Sequence, residues 1–155
     1  MDNIHEVLKA FISGAGVVAC YLLKTRRVRK SIELFKEFLI LFNKAVGNET
    51  ELYRLTYITI WSAIFEGFYL ISDFTSMIEC GGKLCALLHA SGDPKREAAL
   101  LGNLGYAHRS LSEYGKAEEY HKKALVISKE IGDRRGEAVC YGNLGNVYRS
   151  LGEYG

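Results

Sequence analysis

The chain has 155 residues and a mass of 17.4 kDa, the size of one ordinary domain. With 48% hydrophobic and 25% charged residues it can build a core, which excludes wholesale disorder. A formal charge of +2 argues against a nucleic-acid binder that relies on phosphate attraction, and a single proline points to helices.

Residues 10–23, AFISGAGVVACYLL, form an apolar run followed by Lys24, Arg26, Arg27, Arg29 and Lys30. The run is short of the ~20 residues that a bilayer span needs. A secretory leader would carry positive charge ahead of it, where Asp2 and Glu6 stand. As a helix the segment lines Ile4, Leu8, Phe11, Ala15, Val18 and Leu22 on one stripe. Two uses of that stripe stay open: packing on residues 30–46, or lying on a membrane with the basic cluster as its flank. Gly14, Gly16 and Ala19 spell GxGxxA, but no strand–helix alternation surrounds them, so a dinucleotide site is not expected. Residues 1–29 are read as an apolar and basic helical segment.

Residues 30–90 read as divergent helical repeats, with the stretch 30–46 as the second half of one unit and Gly47-Asn48 as a breakpoint. The clearest signal comes next. Residues 91–115 and 131–155, forty apart, are identical at 14 of 25 positions, among them Gly-Asp at 92 and 132 and Gly-Asn-Leu-Gly at 102 and 142. A further shift of forty places Ser72-Asp73-Phe74 under Ser112-Glu113-Tyr114, and Phe65, Met77 and Leu84 under Gly105, Ala117 and Ala124. Residues 91–131 are therefore one full repeat, and 132–155 a truncated one holding the first helix only.

Each unit reads as two antiparallel helices, about seven helices in all. Leu101, Leu104, Gly105 and His108 share one helical face, and Ala117, Tyr120, Ala124 and Ile127 share another. Gly92 suits a left-handed helix terminus, Asp93 the next N-cap and Pro94 the first turn. Small Gly105 is expected to face Ala117 and Ala124, which would let the helix pair cross closely. Glu118 and His121 are expected on the charged outer face, contacting Lys122 and Lys123.

The run Leu104-Gly105-x-Ala107, then Glu113-Tyr114-x-Lys116-Ala117 and Lys123-Ala124-Leu125, resembles the tetratricopeptide repeat. Its Gly-Asn-Leu-Gly form with a 40-residue period is similar to the Leu-Gly-Asn repeats of G-protein-signalling modulators, the Partner-of-Inscuteable group. The resemblance implies an all-α, tetratricopeptide-type superhelical solenoid of antiparallel helix pairs. It further implies a groove that takes extended or acidic peptide segments of partner proteins.

The residues point the same way. On the helix 97–111 the face opposite the packing stripe carries Asn103, Tyr106 and Arg109, and its copy carries Asn143, Asn146 and Arg149. Asparagine amides can pair with a peptide backbone, and arginine can grip a carboxylate with two hydrogen bonds. The same asparagines could instead bond between repeats, and the arginines could simply be solvated.

No nucleophile elbow, phosphate loop or paired-carboxylate signature occurs, so an enzyme is not expected. Cys20, Cys80, Cys85 and Cys140 make no CxxC, and His5, His89, His108 and His121 make no HxxxH. No metal or other cofactor is therefore expected, and the thiols read as small hydrophobes in a reducing cytoplasm. The expected function is a non-catalytic protein-binding scaffold, with protein or peptide partners and no nucleic acid. The alternative is a structural cap of a longer array, held at a membrane by its N-terminal helix. A final helix whose stripe Tyr141, Leu144, Gly145 and Tyr148 lacks a partner is expected to fray past about Arg134 or to self-associate.

Overall fold

The computed structural model describes residues 27–45 and 51–152. The expectations for residues 1–26 and for Gly47-Asn48 lie outside these. Six helices are described: α1 (Val28–Ala45), α2 (Glu51–Leu70), α3 (Phe74–Ser91), α4 (Pro94–Ser110), α5 (Tyr114–Glu130) and α6 (Arg134–Leu151). The chain divides into two compact units, Met1–Asp73 and Phe74–Gly155.

In the first unit α1 packs on α2. Val28, Ile32, Phe35 and Leu39 recur at helical spacing and are all buried. A side chain at Gly67 would meet Ile32 Cγ1 at 2.8 Å, so this glycine lets the two helices approach there. Lys36 Nζ lies 5.3 Å from the centre of the Phe68 ring, a cation–π contact on the same seam. Among the described residues no helix is long and apolar enough to cross a membrane.

In the second unit α3, α4, α5 and α6 pack in chain order, with α4 also touching α6. The pattern of buried and exposed residues along 81–90 is the same as along 121–130. The divergent copy therefore keeps the forty-residue register even where its side chains differ.

The joints between helices repeat at half that period. Ser72, Gly92, Ser112, Gly132 and Gly152 all have positive φ, between 56° and 76°. At the first four, the next residue's amide reaches back to the carbonyl five positions earlier, as in Asp133 N to Ser128 O at 2.8 Å and Glu113 N to His108 O at 2.9 Å. This is the Schellman termination, in which one left-handed residue lets the chain satisfy its last carbonyls. The acid that follows then starts the next helix. The Asp93 carboxylate accepts from Arg96 N at 3.1 Å and that of Asp133 from Gly136 N at 3.0 Å, so both act as N-caps.

Two expectations are corrected. His121 is not on an outer face but is 1% exposed, between Ala117 and Ala124 on the buried stripe of α5. Gly105 faces its ring: a Cβ there would sit 2.6 to 2.8 Å from three imidazole atoms, so glycine is required to seat the histidine. The two alanines flank the ring and admit it. Glu118 does pair with Lys122, at 2.6 Å, and also accepts from Tyr148 Oη at 2.8 Å, tying α5 to α6. Helix α6 runs unbroken to Leu151 with Gly152 as its left-handed cap.

Candidate functional site

A cavity of about 310 Å³ opens between α4, α6 and the end of α5. Its α4 wall is Lys95, Ala98, Ala99, Gly102 and Asn103; its α6 wall includes Arg135, Gly136, Val139, Cys140 and Asn143. Ser128 and Asp133 complete the lining. The two walls are copies of one helix, so Lys95 and Arg135 stand forty residues apart, as do Asn103 and Asn143. Small residues on α4 keep the cavity open, and nothing lies within 4 Å of the place a Gly102 Cβ would take.

Lys95 and Arg135 are solvent-exposed, Asn103 is exposed and Asn143 half-buried. The Asp133 carboxylate accepts from Gly136 N at the helix start and lines the cavity together with the two cations. The lining thus offers amide donors and acceptors, two cations and one carboxylate. That chemistry suits a peptide backbone and a carboxylate.

The other four residues singled out in the sequence lie elsewhere. The Arg109 guanidinium is 5.5 Å over the Tyr106 ring, and that ring meets Phe74 edge-on at 5.8 Å. Arg149 Nη2 donates to Asn146 Oδ1 at 2.8 Å. Asn103 and Asn143 therefore line one cavity from its two walls, while Tyr106–Arg109 and Asn146–Arg149 form two local pairs outside its lining. Sequence reasoning missed Lys95 and Arg135. Their signal was a basic residue in both copies at a position where the residue itself changes.

Two histidines are buried away from the cavity. His108 Nδ1 donates to Glu113 Oε2 at 2.6 Å, and its ring stacks on Tyr120 at 4.9 Å. The hydrogen bond from His108, helped by Lys116, holds the Glu113 carboxyl below the usual range. Burial lowers the His121 pKa to about 4, with Arg109 adding to the effect. His108 Nε2 and His121 Nδ1 are buried with no hydrogen-bond partner, as befits rings that fill a helix interface. Burial likewise pushes the Cys85 and Cys140 thiols up. Among the described residues no group of three or more His, Cys, Asp or Glu could hold a metal ion.

Residues 96–155 match the family model for the tetratricopeptide repeat. No curated protein matches the sequence. Among solved structures, a Signal Transduction ATPase with Numerous Domains protein with a tetratricopeptide repeat sensor, from Pyrococcus horikoshii, is 17% identical with a TM-score of 0.79, over 90% of this chain and 21% of that one. Aspartyl phosphate phosphatase F from Bacillus subtilis is 18% identical with a TM-score of 0.74, over 92% of this chain and 37% of that one. BtubC from P. vanneervenii is 17% identical with a TM-score of 0.74, over 92% and 57%. The chain spans only 21% and 37% of the first two structures, and identities this low speak for the fold alone. Residues 96–155 carry the tetratricopeptide repeat, and the fold is an all-α solenoid of the tetratricopeptide type.

Proposed function

We propose that this chain is a non-catalytic, cytoplasmic scaffold that holds an extended acidic segment of a partner protein in the cavity between α4 and α6. The carrying observation is that Asn103 and Asn143, forty residues apart on α4 and α6, line one cavity together with Lys95 and Arg135. The amides address the peptide backbone, and the two cations address its carboxylates. Tyr106 with Arg109, and Asn146 with Arg149, extend this strip along the same two helices. The likeness to Partner-of-Inscuteable repeats supports a place in G-protein or polarity signalling as the finer form of this reading.

The test is fluorescence anisotropy with a panel of labelled acidic peptides. The pairs Asn103→Ala/Asn143→Ala and Lys95→Glu/Arg135→Glu should each weaken capture at least tenfold with helix content unchanged. A parallel charge reversal at Arg109 and Arg149 measures how far the strip extends. Unaltered capture by both of the first two variants would sink the proposal.

A further inference from the structure

The two walls of the cavity carry their lining in the same order. On α4 it runs Lys95, Ala99, Asn103, and on α6 Arg135, Val139, Asn143, each residue four after the last. Four residues climb about 6 Å along a helix and return the side chain to nearly the same face. Three bands therefore cross both helices: cations near their starts, small apolar side chains next, and amides beyond. The apolar band is open. Ala99 is exposed, Val139 is 56% exposed, and nothing lies within 4 Å of where a Gly102 Cβ would be.

Each band repeats across the cavity at the spacing of two packed helices, about 8–10 Å. A ligand that crosses α4 and α6 must present matching groups at that interval. An extended strand repeats a side-chain direction every second residue, at about 7 Å and then about 13 Å. Neither fits. A polyproline II segment repeats its direction every third residue, at about 9 Å, and does fit. It makes no internal hydrogen bonds, so its carbonyls and amides stay open to Asn103 and Asn143. Asp133 also lines the cavity, so two cations share the lining with one carboxylate and the excess of positive charge is small. The placing of each acid on the ligand then matters more than their number.

We propose that the captured segment takes the polyproline II form, with two acidic residues three apart, one on Lys95 and one on Arg135. One of the two residues between them is aliphatic and seats on Ala99, Gly102 and Val139. This ligand presupposes the acidic-segment capture proposed above, and adds to it a spacing, a conformation and an anchor.

The experiment follows the anisotropy of short fluorescein-labelled peptides titrated with the full chain. All carry two glutamates and one leucine on an alanine–serine host, with the glutamates two, three or four apart. The three-apart peptide should bind at least fivefold tighter than the other two. A proline at the remaining position between its acids should tighten binding at least twofold, because proline presets that conformation. Replacing its first glutamate by glutamine should cancel the effect of one of Lys95→Ala and Arg135→Ala and spare the other. Replacing the second should do the reverse, since each cation holds one acid. Gly102→Leu should erase the advantage of leucine over alanine in the peptide, with helix content kept or raised because leucine is the better helix former. Equal binding at all three spacings, tightest binding at two or four, or loss of binding on adding proline overturns the proposal while acidic-segment capture stands. Binding by none of the peptides overturns both.

Discussion

His121 is a titratable ring placed where a protonated one is costly, because the space over Gly105 fits the ring but supplies no partner for Nδ1. Its folded pKa, about 4, lies below the ordinary 6.5, so the unfolded chain binds the extra proton first as pH falls. Stability present above pH 6.5 is therefore lost progressively down to about pH 4. Between pH 7 and pH 5 the loss should be about 2 kcal/mol, read by urea denaturation at each pH. In His121→Phe, which keeps a flat ring and removes the proton site, that part of the slope should vanish. Ser112 poses a backbone question instead. It adopts φ of 61°, which an L-residue other than glycine holds at a cost of about 1 kcal/mol. Ser112→Gly should raise stability by up to that amount, seen as a higher thermal midpoint.

At the scale of helices, the joints explain what the sequence revealed and what it hid. Gly92, Asp93 and Pro94 announced a stop, a cap and a start because each residue type has few other uses. The structure puts them in those roles, with α4 beginning at Pro94. Ser72 and Ser112 hid the same left-handed turn, since serine is common in many conformations and only the twenty-residue spacing marks them. Glu113 hid its role too. It stands where Asp93 and Asp133 cap their helices, but makes no side-chain cap and reaches His108 instead. Asp133→Ala should cost about 1 kcal/mol by loss of the Gly136 N bond, measured by chemical denaturation. The buried stripe of α5 was half legible. Ala117 and Ala124 read as core, but His121 beside Lys122 and Lys123 read as surface, because hydropathy cannot see the gap left by a glycine on another helix.

For the molecule as a whole, the forty-residue shift made the fold readable across residues 91–152, and the conserved burial pattern carries the register back to Gly81. The candidate site was less readable. Asn103 and Asn143 stood out as an identical pair, whereas Lys95 and Arg135 looked like ordinary solvated charges until both helices were seen to border one cavity. If that rim attracts acidic peptides, capture should weaken as salt rises from low to physiological strength. The Lys95→Glu/Arg135→Glu variant should lose most of this salt dependence, a comparison anisotropy can make in one series.

The joints at residues 72, 92, 112, 132 and 152 recur every twenty residues, whereas matching faces recur every forty. This imposes a counting rule on any change of length. Excising residues 93–132 would splice Gly92 to Asp133, recreate a glycine–aspartate joint and leave each later helix in its former role. Excising residues 93–112 would also join a left-handed residue to an acid, Gly92 to Glu113, but the His121 ring would lose the Gly105 seat that it occupies.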